Sequence, residues 1–266
     1  MLRSIGFALA LSLCIAGGAR AQDGLARLKK VQASYLGLNS YSQKVSTIVT
    51  NSISGRKNVI GQNSELRYRR PNKVLIQVAS QRDGSVVTYN NGTELLVYRG
   101  KLNTYAKRPG KPNVKEYVRA LREFGIGTML DPLAFLTGEP IQSAIGSASM
   151  KPAESIDGVK CDVVFGKLTP AVVGKAKSAT VTYWIDKSTN LIRKVQIVTK
   201  GIPAVVRGQV QENGQAVMKS QPIVIDSIVI MNVQDPIVNP PLADSVFTFA
   251  VPKDAVEQPA AAPAPK

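Results

Sequence analysis

Two stretches of short β-branched runs, each closed by a turn signal, constrain this chain more than any other feature. From Tyr41 to Ala106 the runs are separated by "SISG", "RPN", "RDG", "NNG" and "YRG", places where a chain reverses at little steric cost. The pattern resumes with "KPAESI", an Asp157-Gly158 turn, "VKCDVVF", "SATVTYWID", the turn "KSTN" and "LIRKVQIVT". A hairpin around Asn213-Gly214 then leads to "IVIDSIVIMNV" and, past Pro240-Pro241, to "SVFTFAVP", read as a last strand. About ten antiparallel strands are predicted.

Helical periodicity is confined to two or three places. Asp23 is placed to cap a helix whose Leu25, Leu28, Val31, Tyr35 and Leu36 share one face, with Lys29 and Lys30 turned away. Asn113 and Glu116 have the spacing of a capping box, and Val114, Tyr117, Leu121 and Phe124 follow at helical intervals until Gly125 and Gly127. Asp131-Pro132 then opens a short apolar helix, "LAFL". So few helices cannot cover both faces of a long sheet, which must therefore curl. The expected fold is mainly β (α+β): an open, curled antiparallel sheet or half-barrel with two or three helices closing one side. Such a sheet encloses a lumen that either fills with side chains or holds a ligand. Aromatics make up only 6% of the chain, which favours a cavity over a solid interior.

The first residues have a basic start at Arg3, an apolar run from Ile5 to Ala16, and Ala-x-Ala at 19–21, the pattern of a secretory signal cleaved after Ala21. The run is shorter than the roughly 20 residues a spanning helix needs, and Leu13 before Cys14 is bulky for a lipidation site. A soluble exported domain over 22–256 is expected, followed by a disordered Pro/Ala tail over 257–266. The chain carries 34 Lys and Arg against 18 Asp and Glu. Losing Arg3 and Arg20 with the signal lowers the formal charge from +16 to +14. Outside the cytoplasm so basic a surface favours acidic lipid headgroups, lipopolysaccharide or cell-wall polymers over nucleic acid, or else serves solubility alone.

Catalysis is poorly provided for. There are 0 histidines, which removes His-based acid–base chemistry, Ser-His-Asp triads and His metal sites. Only Cys161 remains after processing, so no internal disulfide or thiolate metal site is available, and it reads as a small core residue. "SGRK" at 54–57 has Ser-x-x-Lys spacing but falls in a turn. Asn91-Gly92-Thr93 matches a glycosylation sequon, yet Asn-Gly reads first as a tight hairpin. No enzyme activity, cofactor or metal is expected.

The stretch "LRYRRPNKVLIQV" at 66–78 places Arg67, Arg69, Arg70 and Lys73 around a Pro-Asn turn at the end of an apolar strand. One reading is a cationic mouth for an acidic head, with tails against Val74, Ile76 and Val78. The other is strand-end charge that protects an edge from aggregation. Trp184, Phe247 and Phe249 are further candidates for ligand contact or ordinary core. Tyr117, Leu121 and Phe124, on one face of the second helix, are candidates for a lid over the opening.

The ordered set "RYRRPNKVLIQV", "YNNGTELLVY", "DPLAFL", "DGVKCDVVF", "YWIDKSTNLIRK" and "FTFAVPKDA" resembles the periplasmic lipoprotein carrier and receptor superfamily, the LolA-like proteins, and within it an uncharacterised exported branch. The resemblance implies an open antiparallel barrel closed on one side by helices, with an apolar interior that holds acyl chains. It implies a soluble periplasmic carrier or binding protein for acyl chains, lipoproteins or another anionic amphiphile. Its partners would be those acyl chains and a membrane-anchored protein or a membrane surface. The alternative is an envelope-stress sensor on the same fold. Two departures stand out: the hairpin from Ile202 to Ser220 is longer than usual there, and "IMNVQDPI" stands where a tryptophan is expected.

Overall fold

The computed structural model describes residues 16–80, 84–126, 132–212 and 215–258. The signal segment before residue 16, Arg82-Asp83, Gly127, Asp131, Asn213-Gly214 and most of the Pro/Ala tail lie outside the described residues.

A first meander runs through β1 (Ser40–Ile53), β2 (Arg56–Arg69), β3 (Lys73–Ser80), β4 (Gly84–Asn90), β5 (Glu94–Arg99) and β6 (Thr104–Pro109). A second runs through β7 (Ile145–Ile156), β8 (Val159–Leu168), β9 (Ser178–Asp186), β10 (Ile192–Glu212) and β11 (Gln215–Val238). β11 pairs antiparallel with β1, fusing both meanders into one sheet. With the short β12 (Val256–Glu257) parallel to β6, the described order is β12-β6-β5-β4-β3-β2-β1-β11-β10-β9-β8-β7. The sheet is open: β12 and β7 are its edges and do not meet.

Local chemistry explains the reversals. Ser54 and Gly55 take φ of 48° and 81°, and Asp157 and Gly158 take 48° and 80°, the left-handed pairs that a two-residue hairpin needs. Asn91 Oδ1 accepts from the backbone N–H groups of Thr93 and Glu94, so the sequon is a turn, as expected.

Residues paired across a ladder share a face. Tyr68, Leu66 and Ser64 therefore stand beside Val74, Ile76 and Val78, and the same face continues through Tyr41, Val45, Val233, Met231, Val195 and Tyr183. Four helices lie against it: α1 (Ala16–Leu36), α2 (Val114–Glu123), α3 (Pro132–Phe135) and the one-turn α4 (Pro170–Val173), whose Val172 and Val173 pack on the same core. Leu28, Val31 and Tyr35 of α1 are wholly buried there, each worth about 1.5–3 kcal/mol of transfer energy. Asp23 lies inside α1 rather than capping it, because the helix already runs from Ala16. Leu36, expected on the buried face, is exposed at the last turn. A Cβ on Gly24 would lie 2.5 Å from the Ala148 carbonyl carbon, so α1 crosses β7 backbone to backbone. The Asn113 cap forms as expected, with Oδ1 accepting the Glu116 N–H at 2.9 Å. Gly125 ends α2 at φ 73°.

Part of the opposite face, over β3 to β5, is covered by the chain's own C-terminal segment. Residues 244–247 form a single 3-10 turn that drives Phe247 into a cluster with Leu75, Val87, Tyr89, Leu96 and Tyr98. The strand predicted over "SVFTFAVP" is thus absent. Its apolar alternation records burial, and a segment lying flat on a sheet buries alternate side chains without joining the ladder.

Candidate functional site

The structure separates the residues that the sequence grouped as a throat. Val74 and Ile76 lie on the helix-covered face, Val74 wholly buried and Ile76 half-buried against the core. Phe247 and Phe249 lie on the other face, under and beside the C-terminal segment. Trp184 is also on that other face, in a separate cluster with Cys161 and Val163. Its indole N–H donates to Glu154 at 2.8 Å, and the Lys194 ammonium sits 4.6 Å above the ring. It neither faces the helices nor covers one. Cys161 is buried, and burial first, then the nearby Asp186, pushes its thiol up. That keeps it protonated and inert.

The cationic cluster is engaged with protein acceptors. Arg69 donates to the Leu242 carbonyl and the Asp244 carboxylate, and Lys73 donates to Asp244 at 2.7 Å. The Arg69 guanidinium also lies over the Phe247 ring. Arg70 donates to the Leu38 carbonyl at 2.7 Å, and Arg67 pairs with Glu65. Arg69 and Lys73 therefore clamp the C-terminal segment rather than rim an opening. The acceptors that claim them are about 170 residues away in sequence, where composition gives no hint.

The expected lid residues are core on one side of the helix. Tyr117 and Leu121 are wholly buried, and the Tyr117 and Thr88 hydroxyls are 2.6 Å apart. Phe124 is half-buried, with the Arg108 guanidinium 4.3 Å from its ring centre. Two openings on this side are a cleft of about 200 Å³ lined by Phe135, Ile141, Ala144, Ala171, Val172 and Tyr183 and a hollow of about 290 Å³ between Leu36, Tyr68, Val114 and Leu136.

A larger space opens on the other face. A groove of about 630 Å³ crosses β1 to β4 beside Phe249. Register places Lys44, Glu65, Gln77 and Val87 in one row across its floor, and Ser46, Asn63, Ala79 and Ser85 in the next. Val78 borders it, and Phe249 forms a wall. A second hollow of about 440 Å³ shares Ser46, Asn63 and Ala79 with it. The charge inside is unbalanced: Glu65 is matched by Arg67, whereas Lys44 is exposed and makes no ion pair among the described residues. Apolar surface with one free ammonium can hold a tail and an acidic head. Of the predicted ligand residues, Phe249 walls this space, whereas Val78 only borders it, its side chain lying with Ile76 on the helix-covered face. Lys44 and Val87 were missed, and their row is visible only from the strand register.

Several solved structures are similar to this chain over most of their length. Mycobacterium tuberculosis lipoprotein LppX is 13% identical with a TM-score of 0.46, covering 84% of this chain and 98% of its own. LprF from Mycobacterium bovis is 11% identical with a TM-score of 0.45, over 89% and 99%. A LolA superfamily protein from Nitrosomonas europaea is 12% identical with a TM-score of 0.32, over 86% and 98%. No curated protein matches. Among the described residues no helix is long and apolar enough to cross a membrane. A family model described as "Predicted periplasmic protein (DUF2092)" matches residues 25–212, from the first turns of α1 to the end of β10. The chain belongs to this DUF2092 family of periplasmic proteins.

Proposed function

We propose that this chain is a periplasmic binding or carrier protein for an anionic amphiphile, such as an acyl chain or the lipid of a lipoprotein. The apolar part lies in the groove between β1–β4 and Phe249, and Lys44 meets the acidic head. The observation that carries the reading is the groove itself. Its volume of about 630 Å³ lies within the range of roughly 300–1,000 Å³ usual for small-molecule sites. It joins Ala79, Val87 and Phe249 to the Lys44 ammonium, which makes no ion pair among the described residues.

Titration with a fluorescent fatty-acid analogue tests it. Saturable binding is expected, with a loss of about tenfold or more in Ala79→Trp at unchanged melting temperature, since Ala79 is exposed on the groove floor. Lys44→Glu weakens the fatty acid but not the matching fatty alcohol. Ala171→Trp, which fills the 200 Å³ cleft on the helix face, leaves binding intact. Loss in Ala171→Trp with retention in Ala79→Trp moves the site to the helix face. A wild-type protein that binds no amphiphile ends the reading altogether.

A further inference from the structure

The hairpin of β10 and β11 outruns every strand beside it. β9 accompanies β10 only as far as the Ser178–Lys200 pair, and β1 accompanies β11 only as far as Ile53–Ile225. Beyond those points β10 and β11 pair with each other alone, out to Glu212–Gln215. The root is braced. A bulge falls between Thr199 and Ile202, with Gly201 at φ 68°. Asp226 accepts there from the Gly201 N–H and the Lys200 ammonium, each at 2.9 Å.

Free two-stranded ribbons are normally polar on at least one side. This one is not. Register places Pro203 beside Val224 and Val205 beside Pro222 on one face, and Ala204 beside Ile223 on the other. Val205 and Val224 are 65% and 61% exposed on the first face, and Val206 is 48% exposed on the second. Further out, Met218, on the face of Val224, is 65% exposed. A globular partner that covered one face would leave the other in water. A lipid interface surrounds both.

The charges at the root choose the kind of interface. Arg56 and Lys57 begin β2 opposite the end of β1, and Lys175 and Lys177 precede β9, with the Lys177 N–H donating to the Lys200 carbonyl. All four are exposed and none forms an ion pair among the described residues. Asp226, the carboxylate at this root, is already matched by Lys200.

We propose that the described apolar residues of this ribbon, in 202–206, at Met218 and in 222–224, dock this protein on an anionic phospholipid surface. Val205, Val206, Met218 and Val224 enter the headgroup–acyl boundary, and Arg56, Lys57, Lys175 and Lys177 lie against the headgroups. Penetration stops at that boundary, because the outer edges of the ribbon carry backbone groups that hydrocarbon cannot satisfy. The proposal is independent of the groove, which lies on a different part of the sheet.

Co-sedimentation of the purified protein with vesicles tests it. Binding is expected to vesicles containing phosphatidylglycerol, weakly or not at all to pure phosphatidylcholine, and to weaken with salt. The double substitution Val205→Ser with Val224→Ser reduces partitioning by about tenfold or more at unchanged melting temperature. Lys175→Glu with Lys177→Glu removes most of the preference for the anionic lipid. No binding to phosphatidylglycerol, or binding indifferent to the ribbon substitutions, overturns the proposal. So does a wild-type protein that forms dimers by sedimentation which the Val205/Val224 substitutions dissociate, because the ribbon would then be a contact between copies.

Discussion

Arg27 on the first helix donates its Nε–H to Asp162 Oδ2 on β8 at 2.8 Å. The same guanidinium reaches Asn190 Oδ1 at 2.7 Å and the Asp186 carbonyl at 3.5 Å, both at the turn between β9 and β10. A single side chain, 11% exposed, therefore fixes where α1 lies along two strands. Its planar fork suits three acceptors at once, which a lysine does not match.

Replacing Arg27 by Met keeps the apolar stem and removes the fork. The expected cost is about 1.5–3 kcal/mol, the usual range for hydrogen bonds to a charged group with limited solvent access. Urea unfolding with an unchanged m-value is the measurement. A shift of the midpoint too small to resolve would show that water replaces the contacts.

Asp186 links stability to acid pH. Burial pushes its carboxyl up, but the Ser188 hydroxyl and N–H, Arg193 and the Thr189 N–H together outweigh this and hold it at about 2. The folded value lies below the unfolded one, so the stabilisation is complete above about pH 4 and is lost as pH falls towards 2. About 2 kcal/mol is at stake. Asp186→Asn should be less stable at pH 7 and show a flatter decline between pH 4 and 2. Parallel declines in the two proteins would assign the acid transition to other carboxylates.

Gly24→Ala opposes two effects of opposite sign. Alanine favours a helix interior by roughly 1 kcal/mol over glycine. Here its Cβ would sit 2.5 Å from the Ala148 carbonyl carbon and 2.6 Å from the Ser149 nitrogen. Neither backbone atom can yield as a flexible side chain would, so a net destabilisation of about 1–3 kcal/mol is expected. A melting temperature above wild type would mean that α1 can lift from β7.

Phe247 and Phe249 separate anchoring from lining. Phe247 is wholly buried under the C-terminal segment, so Phe247→Ala should cost about 3–5 kcal/mol. Half-buried Phe249 walls the groove, so Phe249→Ala should cost less stability and change amphiphile affinity more. Thermal melts and ligand titrations of the two variants decide, and equal behaviour in both assays contradicts the distinction.

Leu121→Ala tests whether α2 moves. Leu121 is wholly buried between α2 and the sheet, which predicts a loss of about 2–5 kcal/mol without faster ligand association. Faster association measured by stopped flow would restore the lid expected from the sequence.

Much of this fold was legible because its signals are local. Asp157-Gly158, Asn91-Gly92 and Ser54-Gly55 act within a few residues, and the Asn113 cap within one turn. The site was legible only in part. Alternation told that Val74, Ile76 and Val78 share a face, but not which face the helices take. The partners of Arg69 and Lys73 come from the far end of the chain, where Asp244 looks like any loop carboxylate. The groove row of Lys44, Glu65, Gln77 and Val87 exists only once three strand registers are set.

The pairing of β1 with β11 also has a kinetic meaning. Ser40 Oγ donates to the Pro240 carbonyl across a separation of 200 residues, and the ladder continues from there along both strands. Each meander can zip hairpin by hairpin, but this central seam closes only after nearly the whole domain has been made. Until then β1 presents one unsatisfied edge rich in threonine, valine and isoleucine. Contacts this distant in sequence slow folding, and an open strand edge is a template for the wrong neighbour. The last long strand to arrive is thus the one that retires the main aggregation hazard of the first.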